Sequence, residues 1–336
     1  MSALSWIIES ENLTLGYKQN GQLNTVCKQV NLHAAEGELI ALVGRNGSGK
    51  STLLNTLAGL NHSLSGKLTL FDKNIEQQNL ISRSKWISYV STEMIKVSNL
   101  TVFELVSLGR FPYTNWIGSL SQIDKDLIIK AINQVGLDAF ANRSVAKLSD
   151  GERQRAMIAR TLAQDTRIIL LDEPTAFLDL PNRFEIIKLL LDLARNYNKT
   201  IIFSTHDLSV ALHHADKMWV ISNGTLNEGA PEDLVLNGIF DTLFPETGLV
   251  FDAQRYSFIE PNDVTKNITL WAQSSDLYGI TGKVLVRNGF TVIECEREKA
   301  EILAECIDNR NSWILTTHKQ TVTSLYELAR LFYILK

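Results

Sequence analysis

The stretch GRNGSGKST, from Gly44 to Thr52, decides how the rest of the sequence is interpreted. It has the form G-x-x-x-x-G-K-[ST], follows the apolar run ELIALV and precedes the apolar run TLLNTLAGL. A glycine-rich turn between a strand and a helix lets successive backbone N–H groups point at a phosphate beside the helix N-terminus. The stretch therefore predicts a nucleotide phosphate site, and an ordinary turn before a helix is the less favoured alternative.

The residues of this turn are expected to divide the binding of a nucleotide among them. We expect Lys50 to reach the β- and γ-phosphate oxygens, and Ser51 to offer its hydroxyl to Mg²⁺, a cation that prefers hard oxygen ligands. Contacts to ATP are predicted for the remaining positions of the loop, which are Gly44, Asn46, Gly47, Ser48, Gly49 and Thr52. The predicted cofactors are therefore ATP and Mg²⁺.

A second motif, IILLDEPTAFLD from Ile168 to Asp179, places two adjacent carboxylates after an apolar run typical of a buried parallel strand. Adjacent strand residues face opposite sides of a sheet, which predicts different roles for Asp172 and Glu173. We expect Asp172 to hold the Mg²⁺ shell through water. Glu173, just past the strand end, is expected to polarise an attacking water as a general base. A solvated acidic turn is the alternative.

The phosphate loop and the paired carboxylates place the chain among the P-loop NTPases. Two further motifs indicate which family of P-loop NTPases it resembles. LSDGERQR, which begins at Leu148, resembles the LSGGQ signature of ATP-binding-cassette (ABC) ATPases, and His206 after TIIFST resembles their switch histidine. Asp179 matches the aspartate of the family's D-loop, and Tyr17 in LTLGY lies where the family stacks an aromatic ring on adenine. The resemblance covers about residues 5–245.

The resemblance implies a composite site, in which two such domains pack head to tail. Ser149 and the backbone at Gly151 of one chain would touch ATP held at Lys50 of the other. His206 would contact the γ-phosphate and sense it together with Glu173, so Glu173, His206 and Lys50 are the expected catalytic residues. Because phosphoryl transfer depends mainly on positioning and charge stabilisation, such a site makes hydrolysis conditional on dimer closure.

Two positions depart from the family pattern. Asp150 replaces the first glycine of the signature; a carboxylate aimed at ATP would repel it, whereas one that points outward would be harmless. The outward orientation is favoured because Ser149 and Gly151 remain. Thr92 in YVSTE replaces the glutamine expected in the loop to the helical subdomain. Its hydroxyl could bind the metal through a water, and Glu93 is an alternative substitute.

Composition fits a soluble globular protein that buries a sizeable core, since 45% of the 336 residues are apolar and 21% are charged. A net charge of −4 with dispersed Lys and Arg argues against nucleic-acid binding. Cys27, Cys295 and Cys306 have no metal-ligand spacing, which predicts core-type thiols in a reducing compartment. No apolar run approaches the ~18–20 residues that cross a bilayer. We expect a peripheral protein on the cytoplasmic side of the cell (inner) membrane.

The order of predicted elements indicates an α/β fold. It consists of an ABC-type P-loop NTPase core with an antiparallel β subdomain and a helical subdomain, plus a small C-terminal α/β module. We place the ATPase domain at residues 1–249, its helical subdomain at about 94–150, and the accessory domain at 250–336. In the accessory domain, strand-like and helix-like apolar patterns alternate. They predict strand NITLWAQ, helix DLYGITGKVLVRNG, strand FTVIEC, helix AEILAECIDN, strand SWILTTH and helix VTSLYELARLFYIL. A structural or dimerising role is favoured there over the binding of a small regulator.

The segment NLTVFELVSLGRFPYTNW resembles ATPases that serve importers of iron-siderophore, heme and cobalamin, and AFLDL in place of the commoner SALD points the same way. Phe111, Tyr113 and Trp116 are expected either in the core or in an exposed patch for a permease coupling helix. The resemblance implies an ATP-hydrolysing importer subunit whose partners are integral-membrane permease subunits, a second copy of the chain and, indirectly, a substrate-binding protein. The alternatives are a soluble ABC ATPase of the Fe–S assembly or repair type and a regulator without useful turnover.

Overall fold

The computed structural model describes residues 5–19, 22–91, 100–114, 118–253, 256–260, 266–307 and 310–334. The chain divides into two compact units, Met1–Ile259 and Glu260–Lys336. The strands of the first unit, in chain order, are β1 (Trp6–Gln19), β2 (Gln22–Ala35), β3 (Leu39–Gly44), β4 (Ser65–Leu70), β5 (Lys73–Asn74), β6 (Ile87–Val90), β7 (Ile168–Leu171), β8 (Thr200–Thr205), β9 (Lys217–Ser222), β10 (Thr225–Gly229), β11 (Val250–Asp252) and β12 (Ser257–Ile259). Its helices are α1 (Lys50–Leu57), α2 (Leu80–Ser84), α3 (Val102–Ser107), α4 (Gln122–Gln134), α5 (Asp150–Ala163), α6 (Leu180–Tyr197), α7 (Leu208–His214) and α8 (Pro231–Leu236).

A six-stranded sheet in the order β10-β9-β3-β8-β7-β6 forms the centre of the first unit. Its strands are parallel except β10, which pairs antiparallel with β9. Both faces are buried, since Ala41 and Val43 of β3 belong to one apolar core while Ile40 and Leu42 belong to another. This burial explains why the strands are continuous apolar runs in the sequence. The carboxyl ends of β3, β8 and β7 meet at one edge, where parallel α/β sheets bind their ligands.

An antiparallel sheet covers one of these faces. Its strands follow the order β2-β1-β4-β5, and its inward side chains share a core with α1 and the central sheet. The stretches LTLGY and VNLHA lie in β1 and β2. The α/β fold with an antiparallel β subdomain is therefore confirmed.

Helices and short 3-10 segments fill the region between β6 and β7, as the sequence predicts. Thr101 caps α3: its side chain accepts from the backbone N–H of Glu104, whose carboxylate accepts from the backbone of Thr101 in return. This reciprocal pair satisfies two donors that a helix start leaves open, which fixes the start of α3 at this point. The helices α3, α4 and α5 share one apolar core with the central sheet.

The first unit ends later than predicted. The hairpin of β11 and β12 packs Phe251 and Phe258 against the core of the first unit, where Phe251 contacts Phe240 and Phe258 contacts Phe244. Because these aromatic contacts attach the hairpin to the core of the first unit, the division falls after Ile259 rather than at residues 249 and 250.

The second unit is a five-stranded sheet with two helices. Its elements are β13 (Lys266–Ala272), α9 (Ser275–Arg287), β14 (Phe290–Glu294), β15 (Ile302–Ile307), β16 (Arg310–Leu315), β17 (Gln320–Val322) and α10 (Leu325–Ile334). The strand order is β14-β13-β15-β16-β17. Alternate residues of the central strands, such as Leu270 and Ile302, form one core with Leu285 of α9 and Leu328 of α10.

One predicted helix of the second unit is wrong. AEILAECIDN is a good helix-forming sequence, but Ile302–Ile307 is strand β15, which pairs parallel with β13 and antiparallel with β16. Ile302 and Ala304 face the core from it. Packing against strands on both sides stabilises β15 by more than helix propensity, which is a small energy per residue, could stabilise a helix here.

The three cysteines do not share one environment. Cys27 is buried, and that burial raises the pKa of its thiol to about 11, as expected for a core residue. Cys306 is exposed, so the predicted core role is wrong there. Over the described ranges, no helix combines the length and apolar character that would let it span a bilayer.

Candidate active site

The loop between β3 and α1 makes close contacts that require glycine. A Cβ at Gly44 would lie 2.5 Å from Ser48 Oγ, and a Cβ at Gly49, where φ is +106°, would lie 1.9 Å from Cγ1 of Val26. At Gly47, where φ is +78°, no atom lies within 4 Å of the position of a Cβ. The backbone therefore curls tightly ahead of α1 while one side of the loop stays open.

Lys50 holds a largely desolvated positive charge at this loop. Its side chain is 6% exposed, and Nζ donates to the carbonyl oxygen of Gly44 at 3.0 Å and to that of Arg45 at 3.4 Å. Burial lowers the pKa of Lys50, and the nearby carboxylates of Glu173 and Asp172 oppose that shift. A buried ammonium group of this kind forms strong charge-assisted bonds with an anion.

The remaining loop residues fit a bound phosphate. Ser48 Oγ is buried and has no hydrogen-bond partner among the described residues, whereas buried hydroxyls are nearly always paired. Asn46, Gly47 and Ser51 are exposed, and Thr52 is half-buried in the first turn of α1. A phosphate oxygen at the open side of the loop would supply the partner that Ser48 lacks.

The residues predicted to hold Mg²⁺ are Ser51, Asp172 and Thr92, and the structure describes two of them. Ser51 is exposed on α1, while Asp172 is buried directly after β7. Thr92 and Glu93 lie outside the described residues. The part of the chain that is described contains no group of three or more His, Cys, Asp or Glu side chains that could enclose a metal. Mg²⁺ needs no such cage, because it is bound through one or two protein oxygens together with phosphates and water.

Ser204 connects the two carboxylates of the second motif. Its Oγ donates to Oδ1 of Asp172 at 2.6 Å and accepts from the backbone N–H of Glu173 at 2.8 Å. The side chains meet because β8, which carries Ser204, is the direct neighbour of β7. Ser204 is fully buried, so water does not compete for these two bonds.

Glu173 has a left-handed backbone conformation, with φ at +48°. For a residue with a side chain this costs roughly 1–2 kcal/mol. Its Oε1 lies 3.9 Å from Nζ of Lys50, and its Oε2 lies 3.5 Å from Nδ1 of His206. The turn after β7 thus brings together Lys50, Glu173 and His206, the three predicted catalytic residues, with Glu173 between the other two.

The signature motif forms the start of α5. Ser149 caps this helix by accepting from the backbone N–H of Glu152, whose carboxylate accepts from the backbone of Ser149. Asp150 is exposed and its Oδ1 accepts from Nη1 of Arg153 at 2.9 Å. This ion pair holds the substituted carboxylate along its own helix.

A second cluster joins the signature to the D-loop. Asp179 caps α6 and accepts from the backbone N–H and from Nδ2 of Asn182. A Cβ at Gly151 would lie 2.3 Å from Oδ1 of Asn182, so the start of α5 contacts the start of α6. Ser149 and Asp179 are exposed. No hydrogen bond or ion pair between described residues joins this cluster to the group around Lys50, so the two clusters are separate on a single chain.

Tyr17 lies near the loop through the hairpin of β1 and β2. Its side chain is exposed, and the register pairs Tyr17 with Asn24. Val26, two residues further along β2, is the residue that contacts Gly49. An exposed aromatic ring therefore lies on the hairpin whose second strand contacts this loop.

An apolar groove lies between α2 and the segment that follows α3. The groove has a volume of about 930 Å³ and includes exposed side chains from both walls, among them Leu60, Leu80, Ile81 and Phe111. Tyr113 is partly covered instead, because the guanidinium of Arg110 lies 4.0 Å from its ring centroid. Trp116 lies outside the described residues.

Sequence reasoning missed two residues of these clusters, Ser204 and Asn182. Ser204 belongs to the stretch TIIFST that precedes His206, but its role depends on which strand neighbours β7, and local sequence does not state that. Asn182 follows Asp179 by three residues, a spacing typical of a helix cap, which is a signal that was available.

Comparisons with known proteins agree with this geometry. The family model described as ABC transporter matches residues 27–176. The achromobactin transport ATP-binding protein of Dickeya dadantii is 40% identical over 238 residues, which cover 70% of this chain and 87% of that protein. The iron(3+)-hydroxamate import ATP-binding protein of Bacillus subtilis is 34% identical over 238 residues, with 70% and 87% covered.

Solved structures show the same similarity. An inward-facing metal-chelate type ABC transporter matches with a TM-score of 0.64 and 28% identity, covering 76% of this chain and 96% of that chain. The dimeric structure of a bacterial ABC transporter cassette matches with a TM-score of 0.59 and 30% identity, covering 67% and 98%. The phosphate loop, the paired carboxylates, the signature helix and these similarities lead to one conclusion: this chain belongs to the ATPases of the ABC transporter family, which hydrolyse ATP to drive transport.

Proposed function

We propose that this chain is the ATP-hydrolysing subunit of an importer for iron complexes of siderophores. Two copies would close head to tail on two ATP molecules and act on membrane permease subunits from the cytoplasmic side. The observation that carries the proposal is the position of Glu173 between Lys50 and His206, held by Ser204. The relatives support the cargo class, since they include an iron(3+)-hydroxamate import protein and a ferric enterobactin transport protein. They do not favour a soluble ABC ATPase of the Fe–S assembly or repair type.

Each residue of the Lys50 group has a distinct part in the proposed reaction. Lys50 and the loop N–H groups bind the phosphates of ATP, and Ser48 donates its free hydroxyl to a phosphate oxygen. Glu173 accepts the proton of the attacking water, a contribution that is typically 10²–10⁴-fold in rate. His206 is exposed beside Glu173 and contacts the γ-phosphate.

Ser51 and Asp172 are the residues that would hold Mg²⁺ in this site. When bound, the cation neutralises charge on the phosphate oxygens. Ser204 keeps the carboxylate of Asp172 fixed at the end of β7 through a 2.6 Å hydrogen bond. Asp172 is thereby oriented before any ligand binds.

The second half-site supports a dimeric mechanism. Ser149, Asp179 and the N-terminus of α5 lie on the surface of the single chain, where they can meet ATP bound to a second copy. Gly151 allows the close approach of α6, because any larger residue would collide with Asn182. Hydrolysis then requires the partner's signature residues, so the reaction is linked to closure of the pair.

The apolar groove supports docking to a permease. Exposed side chains from both walls of a concave surface, Leu80 and Ile81 opposite Phe111, are typical of a protein interaction site. A short amphipathic helix of a permease would fit this groove. A peripheral location at the membrane follows from that contact, and a substrate-binding protein would act on the other side of the permease.

Replacing Glu173 by Gln tests the proposal. The amide cannot accept a proton, so Glu173→Gln should reduce ATP turnover at least about a hundredfold, in line with the loss of a general base. The same variant should form a dimer in the presence of Mg²⁺ and ATP, because binding of the nucleotide does not need the base. Light scattering and steady-state turnover measure the two effects.

Glu232→Gln is the matched control, since Glu232 is an exposed carboxylate in the first turn of α8. It should leave turnover and the monomer mass unchanged. A Glu173→Gln protein that hydrolyses ATP at the wild-type rate, or that stays monomeric with saturating Mg²⁺ and ATP, both alone and with its co-purified partners, would contradict the proposed mechanism.

A further inference from the structure

The second unit contains a cavity that the ATPase reaction does not use. It has a volume of about 530 Å³, within the 300–1,000 Å³ typical of small-molecule sites. The cavity lies at one edge of the five-stranded sheet, where β13, β14 and β15 begin and β16 ends. Its floor is apolar and is formed by Ile268, Phe290, Ile302, Leu315 and Phe332.

This floor is a rigid surface that belongs to the core of the unit. Ile268, Ile302 and Leu315 are almost fully buried, and Phe290 stacks edge-to-face on Phe332 with ring centroids 4.9 Å apart. Phe290 is half-buried, so a ligand with an apolar side chain would remove its remaining exposed surface from water. Apolar burial of that kind is the main source of affinity in most small-molecule sites.

Two unpaired charges of opposite sign line the same cavity. Lys266, the first residue of β13, is exposed, and its ammonium group has no ion-pair or hydrogen-bond partner in the part of the chain that the structure describes. Glu301 is half-buried and accepts from the backbone N–H and the hydroxyl of Thr269 through Oε2. Its Oε1 accepts no hydrogen bond from a described residue, and no described cation pairs with it.

The charges and the floor together select the ligand. Lys266 and Glu301 both line the cavity and form no ion pair with each other, so each is open to a charged group of a ligand. One lysine and one histidine, His318, beside a carboxylate do not suit a polyphosphate. No group of metal-ligating side chains occurs among the described residues of this unit. What fits is a molecule with a carboxylate for Lys266, an ammonium group for Glu301 and an apolar side chain for the floor.

We propose that the second unit binds a small zwitterion with an apolar side chain, namely an apolar amino acid or dipeptide, in the cavity between Lys266 and Glu301. The carboxylate of the ligand pairs with Lys266, its ammonium group pairs with Glu301, and its side chain packs on the aromatic pair Phe290 and Phe332. The proposal does not depend on the transport function, because every residue of the cavity lies in the second unit.

Calorimetric titration of the full-length protein tests this site with L-phenylalanine and glycyl-L-phenylalanine as probes. At least one of them should bind saturably. Lys266→Gln and Glu301→Gln should each weaken that binding at least about tenfold, because each removes one charge-assisted bond. Glu301→Gln keeps a carbonyl oxygen for Thr269, so the strand contact is preserved. Unchanged melting temperatures would show that both variants are folded.

Two ligand analogues and one control variant make the test specific. 3-Phenylpropanoate lacks the ammonium group and phenethylamine lacks the carboxylate, so each should bind at least about tenfold more weakly than L-phenylalanine if the amino acid is the ligand. Lys283→Gln, an exposed lysine of α9 that does not line the cavity, should leave binding unchanged. The proposal is overturned if neither probe binds, if both cavity variants bind like the wild type, or if an analogue with a single charge binds as tightly as the zwitterion.

Discussion

Ser204 controls the geometry of two carboxylates through one buried hydroxyl group. It donates to Asp172 and accepts from the backbone N–H of Glu173, which has the left-handed conformation. A strained conformation persists only where surrounding contacts hold it. Ser204 is therefore a positioning residue for the general base, although it touches neither water nor nucleotide in the proposed mechanism.

Ser204→Ala should lower the turnover number for ATP by about ten- to a hundredfold. The substitution leaves the N–H of Glu173 and one oxygen of Asp172 without a partner, at a cost of about 1–3 kcal/mol, and each 1.4 kcal/mol is tenfold in rate. The KM for ATP should change less, because Lys50 and the loop are untouched. Steady-state kinetics of the purified protein measure both constants.

Ser209→Ala is the control for this prediction, since Ser209 is an exposed serine on α7 whose backbone carbonyl hydrogen-bonds to His213. Its turnover number should match that of the wild type. A Ser204→Ala protein with a turnover number within about twofold of wild type would exclude a positioning role, because that change is below 0.5 kcal/mol.

Among the elements, α4 is held at its start by a buried ion pair. Nε of Arg110 donates to Oδ1 of Asp124 at 2.8 Å, with both side chains less than a tenth exposed. Nη1 of Arg110 also donates to the carbonyl oxygen of Ala163 at the end of α5. Asp124 completes a capping box with Ser121. The carboxylate of Asp124 thus caps α4 and, through Arg110, also links α4 to the end of α5.

Asp124→Asn should destabilise the first unit by about 3 kcal/mol, because breaking a buried ion pair leaves the charge of Arg110 uncompensated. The measurement is the midpoint of thermal unfolding at neutral pH. Asp126→Asn is the matched control, since Asp126 is an exposed aspartate on the same helix, and it should change stability by less than about 0.5 kcal/mol. Equal midpoints for the two variants would contradict the prediction.

The ion pair of Asp124 and Arg110 also predicts that the stability of the first unit depends on pH. The hydroxyl of Ser121 and the guanidinium of Arg110 lower the pKa of Asp124, although burial opposes them. A carboxyl group whose pKa is lower in the folded state stabilises the fold above its unfolded pKa, and that contribution is lost as the pH falls through the folded value. The difference in the free energy of unfolding between wild type and Asp124→Asn should therefore be largest at neutral pH and should decrease below about pH 4.

For the whole molecule, the groove beside α2 predicts where a membrane partner binds. Phe111→Arg places a charge on the apolar wall and should abolish co-purification of the permease from membranes, because burying an unpaired charge is costly. ATP turnover of the purified subunit should stay within about twofold of wild type, since Phe111 lies outside both half-sites.

Ile123→Arg is the control for docking. Ile123 is 71% exposed on α4 and does not line the groove, so the variant should retain the permease. Retention of the permease by Phe111→Arg in gentle detergent would show that the coupling surface lies elsewhere on the molecule.

The nucleotide site could be predicted from sequence because its groups act locally. Gly44, Lys50 and Ser51 occupy one turn, and the backbone geometry of that turn is encoded by glycines at fixed spacing. Adjacent carboxylates after a buried strand are recognised in the same way. The caps of α3 and α6 depend on residues three apart, which a linear reading also identifies.

Contacts between distant segments were decided only by the tertiary structure. Ser204 meets Asp172 because β8 lies beside β7, and Asn182 meets Gly151 because α6 packs on the start of α5. Residues 302–307 form a strand because they have partners on both sides. Strand order and cross-strand pairing depend on the free energy of burying whole surfaces. Hydrophobic periodicity within a short window of sequence does not show which surfaces meet. The chemistry of each local motif could thus be inferred from the sequence, whereas the distances between the motifs were set only by the folded chain.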